Sequence, residues 1–305
     1  MDFEFFGQQL LNGLTLGSVY ALIALGYSMV YGILKLLNFA HGEVYMMGAF
    51  IGYFVLIALG GPTEPVVPLA VLLLLMFLAG MLGAGTLGIA IERFAYRRLR
   101  NAPRIAPLIT ALGVSFFLQS TALLLFGPRF RSYRTTQYLS GGVDVGGVFV
   151  SYARMLVIVS AFVLMVGLTL LVGRTLLGKA MRATAFDREA AAMMGIDVDR
   201  VIVSTFLIGS ILAGAAGVMF GLVYFSVFHL MGFTAGLKGF TAAVVGGIGS
   251  IPGAMLGGLL IGLAEAFSAS YISSTFQDLI VFSILIAVML FRPTGLLGRA
   301  DIKKV

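Results

Sequence analysis

A few ionisable and amide side chains interrupt long apolar stretches, and these are the residues at which chemistry could occur. Asn38, His41 and Glu43 lie close together, and Glu265 lies late in another apolar stretch. An ionisable group in the middle of a bilayer costs on the order of 3 kcal/mol, so it is a functional candidate by default. Their spacing forms neither a His-Glu-His motif nor a paired-acid site, which argues against an enzyme. A helix-stabilising contact explains them as well as a substrate contact does.

Three further polar residues suggest a different position. We expect Lys238 and His229 on the external approach to the protein, and Asp278 at the start of the last apolar stretch. Charged side chains near helix ends often extend to the membrane interface, and we favour this interpretation for Lys238 and Asp278. With two histidines and no cysteine in the chain, we predict no metal site, no disulfide and no thiolate nucleophile.

The composition of the chain indicates whether its outer surface faces water or lipid. Of the 305 residues, 60% are hydrophobic and 11% are charged, with a mean hydropathy of +1.05. Soluble proteins carry about 25% charged residues, so the outer surface of this chain faces lipid. A soluble enzyme, a disordered protein and a disulfide scaffold are excluded. The net charge of +7 does not indicate a nucleic-acid partner, because the basic residues cluster in a few loops.

The apolar stretches predict an all-α fold, a polytopic bundle of membrane helices. A helix needs about 20 apolar residues to cross a hydrocarbon core of about 30 Å. Apolar stretches of about this length or longer cover residues 8–34, 42–60, 65–91, 105–126, 153–173, 201–223, 238–268 and 275–291.

The distribution of basic residues orients these helices. Segments 92–104, 174–200 and 292–305 together hold 14 of the 20 Lys and Arg residues, so the positive-inside rule assigns them to the cytoplasm. Segment 127–152 then becomes an external loop, and its glycine-rich run 141–147 suits a short hairpin. The N-terminus is expected outside and the C-terminus inside.

This orientation requires a break in stretch 238–268. As a single crossing it would give eight crossings and leave the basic C-terminal tail outside, so we predict a broken or re-entrant hairpin and about nine crossings. Glycine and proline in its middle disfavour a continuous helix. Backbone groups freed at such a break can bind a polar substrate. The candidate residues at this break are Gly246, Gly247, Gly249, Ser250 and Gly253.

The basic segment 174–200 also contains a short helix-forming run. An aspartate precedes a run of alanines, and a glycine follows at the position of a C-terminal cap. Because an isolated helix of this length is marginal in water, we expect it to dock on a partner, although it could instead lie on the lipid surface. The residues of this run are Asp187, Arg188, Glu189, Ala190, Ala191, Ala192, Met194 and Gly195.

Three motifs, in order along the chain, resemble one known family. Residues 37–43 with 46–49, and residues 240–254, are similar to two signatures of the branched-chain amino acid permeases of the LivH type. The run from Glu189 to Gly195 resembles the coupling segment of bacterial ABC importer permeases, which seats in a cleft of the ATPase subunit. It lacks the Pro-terminated ending of other importer classes, so the resemblance to those classes is distant.

The resemblance implies one permease domain over residues 1–305, in a bacterial inner membrane. It implies as partners a second homologous permease or a second copy, two ABC ATPase subunits and a periplasmic substrate-binding protein that delivers leucine, isoleucine or valine. The chain has no nucleotide-binding loop, so we expect no cofactor of its own and ATP use by the partner subunits.

Urea, short amides or other amino acids are alternative cargoes. An ion-coupled secondary transporter using Glu43 or Glu265, or a passive channel, is the alternative mechanism.

Overall fold

The computed structural model describes residues 3–60, 65–100, 102–103, 105–133, 139 and 141–298. Within these residues the helices are α1 Phe3–Leu34, α2 His41–Leu59, α3 Leu69–Ile91, α4 Ile105–Phe126, α5 Tyr152–Arg174, α6 Leu176–Phe186, α7 Arg188–Met193, α8 Val198–Tyr224, α9 Met231–Gly246, α10 Ile251–Ser268 and α11 Gln277–Phe291. The short strands are β1 Arg131–Ser132, β2 Gly142–Val145, β3 Val148–Ser151 and β4 Ser226–Val227.

The prediction of a polytopic helical membrane bundle is confirmed. In the described part of the chain, seven helical stretches are long and apolar enough to cross a membrane. They are α1, α2, α3 with its helical extension to Leu99, α4, α5, α8 and the stretch from Ile251 to Phe291. The last stretch contains α10, a π turn, a 3-10 turn and α11. The exact number of crossings stays a prediction.

The helices form an inner group around α1 and an outer group that faces lipid. Helix α1 is buried over most of its length, and α2, α8, α9 and α10 pack around it. Large apolar side chains on α4, α5 and α11 point away from the protein, including Leu124, Phe162 and Leu290. The scarcity of charge in the sequence thus corresponds to an apolar outer surface.

Small residues make the closest contacts between the inner helices. Gly258 of α10 lies directly against Ala21 of α1, Gly262 packs on Gly17, and Gly48 of α2 packs on α8. Lipid provides no hydrophobic drive for helix association, so close backbone packing of this kind must supply it. Gly258 and Gly262 lie four residues apart in the sequence, so a glycine pair at this spacing marks the contact of α10 with α1.

We expect the Gly258→Leu variant to be strongly destabilised, because any Cβ at this position would overlap the backbone of α1. Overpacking of a tight core costs about 1–3 kcal/mol, and the rigid backbone partner here favours the upper end. Thermal unfolding of the purified protein in detergent measures the effect. Gly113→Ala in α4 is the matched control, since a Cβ there meets open space. Equal unfolding midpoints for both variants would contradict the assigned packing.

The N-terminal end of α1 and the strands define one end of the bundle, here called the hairpin end. Strands β2 and β3 form an antiparallel hairpin, as expected for the glycine-rich run, with Gly146 and Gly147 both at positive φ in its turn. Gly7 of α1 packs against Val148. Strand β1 pairs with β4, so the segment after α8 reaches the same end.

The opposite end, here called the basic end, contains the end of α3, helices α6 and α7, and the turn after α9. Arg188 of α7 donates hydrogen bonds to the carbonyl of Ile33, at the end of α1. The N–H groups of Leu296 and Leu297 donate to carbonyls of α9 at 2.9 Å. The chain after α11 therefore returns to the same end as segment 174–200, as the predicted orientation requires. Arg104, Arg134, Arg299, Lys303 and Lys304 lie outside the described residues.

The short helix expected in segment 174–200 corresponds to α7. A second helix that was not predicted, α6, ends at Phe186, and α7 begins at Arg188. Asp187 separates them in an extended conformation. Its carboxylate caps the first N–H groups of α7, which requires a non-helical backbone at that residue.

Candidate functional site

A cavity of about 540 Å³ lies among α1, α8, α9 and α10. It extends from Gln9 in the part of α1 nearest the hairpin end to the middle of α9. Its polar lining residues are Gln9, Asn12, Thr15, Tyr20, Tyr45, Arg154, Tyr224, Thr234, Lys238, Glu265, Ser270 and Gln277. Its larger apolar lining residues are Leu16, Phe220, Val223, Phe228 and Met231.

Three charged side chains meet where α9, α10 and α11 approach one another. The Lys238 ammonium lies 2.6 Å from Oε1 of Glu265 and 2.7 Å from Oδ1 of Asp278. The Tyr20 hydroxyl donates to the other oxygen of Glu265 at 3.0 Å. The side chains of Lys238 and Glu265 are 5% and 9% exposed, while that of Asp278 is 53% exposed. We call Lys238, Glu265 and Asp278 the charged triad.

The triad overturns the prediction that Lys238 extends to the membrane interface. The side chain is buried because two carboxylates offset the cost of removing its charge from water. Glu265 is also buried, and its neighbours are Lys238 and Tyr20. Tyr20 and Arg154 were not predicted as lining residues, because neither a tyrosine inside an apolar helix nor a single arginine at a helix start carries a distinguishing pattern.

Glu43, in the first turn of α2, is fully buried between helices. Its Oε1 accepts hydrogen bonds from Ser115 at 3.1 Å and from Gln119 at 2.8 Å, both on α4. Its Oε2 packs against Gly232 at the start of α9 and has no hydrogen-bond partner among the described residues. Glu43 thus links α2 and α4 beside the beginning of α9.

Asn38 and His41 are also buried, on either side of the start of α2. Asn38 accepts a hydrogen bond from the Tyr96 hydroxyl at 3.1 Å. The His41 ring packs edge-on against Tyr27 at 4.9 Å between centroids and lies on Gly26. Asn38, His41 and Glu43 do not line the 540 Å³ cavity. Their contacts are with neighbouring helices, and a contact with substrate stays a prediction.

The helix break expected in the C-terminal third is present between Gly246 and Ile251. Gly246 and Gly253 face each other across it, and Ser250 caps α10 by accepting from the N–H of Gly253 at 3.2 Å. The carbonyl of Gly246 accepts from Leu297, and the N–H of Gly249 donates to the Ser28 hydroxyl at 2.8 Å. Gly247 packs against the chain after α11. These groups bond to protein, so a rearrangement must release them before they can bind a substrate.

Helix α7 is closed at both ends by local interactions. The Asp187 carboxylate accepts from the N–H groups of Glu189 and Ala190 at 3.1 Å. At the other end, the N–H of Gly195 donates to Ala192 and that of Ile196 donates to Ala191, both at 3.0 Å. This is a Schellman motif, and Gly195 adopts the positive φ of +83° that it requires.

The end of α6 and helix α7 together expose an apolar surface at the basic end. Phe186, Met193 and Met194 are 79%, 88% and 83% exposed. We call these three residues the methionine surface. Of the predicted docking residues, Ala191 is buried and Arg188 bonds back to α1, whereas Glu189, Ala190, Ala192, Met194 and Gly195 are exposed. Phe186 and Met193 were not singled out from the sequence, although flexible methionines are common at binding surfaces.

A network of charged residues lies beside α7. Arg97 and Arg100, after α3, pair with Asp199 at the start of α8, and Arg100 also pairs with the buried Glu92. Arg188 lies beside this network. Helix α7 therefore bonds to α1 through Arg188 and lies beside the ion pairs that join the end of α3 to α8.

The sequence of the chain is similar to a family of known proteins. Residues 9–290 match the family described as "Branched-chain amino acid transport system / permease component". The chain is 47% identical to the high-affinity branched-chain amino acid transport system permease protein BraD of Pseudomonas aeruginosa, covering 98% of this chain and 97% of that protein. It is 43% identical to the permease protein LivH of Escherichia coli, covering 100% and 99%.

A more distant relative spans the same region. The probable branched-chain amino acid transport permease protein LivH of Methanocaldococcus jannaschii is 28% identical over 94% of this chain and 91% of its own length. The prediction of a transport subunit agrees with all three relatives. The match over residues 9–290, together with the two nearly full-length similarities, shows that the chain belongs to the permease components of branched-chain amino acid transport systems.

Proposed function

We propose that this protein is the membrane permease subunit of an ABC importer and that it carries branched-chain amino acids across a bacterial inner membrane. Family membership over residues 9–290 is the observation that carries the proposal. The chain needs no cofactor, because ATP is bound and hydrolysed by separate subunits. Other amino acids, urea or short amides are the alternative cargoes, and an ion-coupled transporter is the alternative mechanism.

In this proposal the partners bind at the two ends of the molecule. The methionine surface at the basic end docks on an ABC ATPase, one for each of two permease subunits, and the second permease is a homologue or a second copy. A periplasmic binding protein delivers the cargo at the hairpin end. Most basic residues near the ends of the described helices lie at the basic end. The positive-inside rule assigns such an end to the cytoplasm, which favours this orientation.

In this proposal the transport path includes two regions, the junction between α1 and α2 and the break between α9 and α10. Asn38, His41 and Glu43 lie at the first, and Gly246, Gly247, Gly249, Ser250 and Gly253 lie at the second. Both regions are closed by protein contacts in this conformation, so they would open only during the transport cycle. Substitutions there should alter the transport rate more than the assembly of the complex.

Uptake by the reconstituted complex tests the proposal. The permease, its partner permease, its ATPases and its binding protein are placed in liposomes, and entry of radiolabelled L-leucine is followed. We expect uptake that requires internal ATP and the binding protein and that survives a protonophore. A complex with hydrolysis-deficient ATPase subunits is the control. Uptake that a protonophore abolishes and ATP depletion spares would overturn the proposal in favour of the ion-coupled mechanism.

A further inference from the structure

Two members of the charged triad, Lys238 and Glu265, line the 540 Å³ cavity, whereas Asp278 pairs with Lys238 from outside the lining. Lys238 supplies one positive charge against the two carboxylates of Glu265 and Asp278. Arg154, in the first turn of α5, lines the same cavity. Arg154, Tyr224 and Glu265 line this one cavity, so its wall contains both a guanidinium and a carboxylate. The site therefore offers separate partners for an ammonium group and for a carboxylate.

The rest of the lining suits an apolar side chain. Leu16, Phe220, Phe228 and Met231 contribute to the cavity wall. The volume of about 540 Å³ lies within the range of about 300–1,000 Å³ found for small-molecule sites. A zwitterion that carries a branched aliphatic side chain matches both the charged and the apolar parts of this wall.

Two polar atoms in the lining have no partner among the described residues. They are the hydroxyl of Tyr45, which is fully buried, and Oδ1 of Asn12. A buried polar group without a hydrogen bond costs about 1–3 kcal/mol. A ligand with hydrogen-bonding groups would recover part of this cost. An ion cluster that only stabilised the fold would need neither these atoms nor an adjoining cavity.

We propose that the cavity is a recognition site for a free α-amino acid inside the permease itself. The ammonium group lies near Glu265, the carboxylate lies toward Arg154, and the side chain contacts Phe220 and Phe228. This inference rests on the proposed function, to which it adds the place where the permease selects the charged head group of its cargo.

Site-directed labelling tests the inference directly. The chain has no cysteine, so Thr234→Cys, in the cavity wall, introduces a single reactive thiol. Alkylation of this thiol is followed in the complete transporter without binding protein or ATP. We expect L-leucine at ten times its Kd to slow alkylation by about tenfold. Leucinamide, which lacks the carboxylate, and 4-methylpentanoate, which lacks the ammonium group, should protect far less.

Two variants and a control complete the test. Glu265→Gln and Arg154→Gln, each in the Thr234→Cys background, should lose the protection by leucine while the complex still assembles. Thr121→Val, on the exposed face of α4, should keep the protection. Equal protection in all variants, or equal protection by the three compounds, would overturn the inference.

The labelling result is independent of the proposed function. Protection by leucine in a complex that does not import leucine would refute the proposed function and keep the site. Leucine import by the wild-type complex without any protection would refute the site and keep the proposed function.

Discussion

A transporter carrying both Met193→Lys and Met194→Lys is expected to lose most of its ATPase subunits during purification. Both side chains are more than four-fifths exposed at the end of α7. Burying one methionine side chain contributes about 1.5–3 kcal/mol. Loss of both contacts, with two charges placed in the interface, should weaken the association at least a hundredfold, since about 1.4 kcal/mol corresponds to a factor of ten.

Lysine is chosen because it leaves α7 itself intact. A positive charge at the C-terminal end of a helix is favourable, and the capping interactions of Asp187 and Gly195 are unchanged. The ratio of ATPase to permease after purification measures the effect, together with ATP hydrolysis stimulated by the binding protein. Phe149→Lys, a half-exposed position at the hairpin end, is the control and should keep the normal ratio. An unchanged ratio in the double variant would exclude the methionine surface as the docking site.

The contacts of α7 connect the proposed docking surface to the cavity. Arg188 bonds to the carbonyl of Ile33 at the basic end of α1. The same helix provides Thr15 and Tyr20 to the cavity, and Tyr20 bonds to Glu265. A displacement of α7 by the ATPase would therefore act on α1, the most central helix of the bundle. Motion of α1 would then change the surroundings of the charged triad.

Features that depend on neighbouring residues in the chain were accessible from the sequence. Asp187 before an alanine run and Gly195 after it predict a capped short helix, because caps are local interactions. Helix α6 was not predicted, because the order of its polar and apolar residues does not show that a separate helix ends before Asp187. The break near Gly249 was predicted from glycine and proline content, and its position agrees with the structure.

Features that depend on distant residues were not accessible in the same way. The backbone groups at the break are bonded to Ser28 and to Leu297, which no local pattern indicates. Lys238 was expected at the interface, yet its partners lie 27 and 40 positions later in the chain, at Glu265 and Asp278. A single sequence reveals the cost of burying a charge without revealing the opposite charge that offsets it.

Replacement of Lys238 by methionine is expected to be among the most destabilising single substitutions in the chain. It leaves Glu265 buried beside Tyr20 without its positive partner. Removing one member of a buried ion pair costs about 3–5 kcal/mol, because the remaining charge stays uncompensated. The thermal unfolding midpoint in detergent and the yield of monodisperse protein should both fall sharply.

A second substitution separates the loss of the pair from the loss of the lysine side chain. In Lys238→Met with Glu265→Gln, the buried negative charge is removed as well, and Asp278 is exposed enough to be hydrated. We expect this double variant to recover most of the lost stability, because replacing both members of a buried pair is often close to neutral. Glu265→Gln alone should be mild, since Lys238 keeps Asp278 as its partner. If Lys238→Met unfolds at the wild-type temperature, or if the double variant is no more stable than Lys238→Met, the triad does not hold α9, α10 and α11 together.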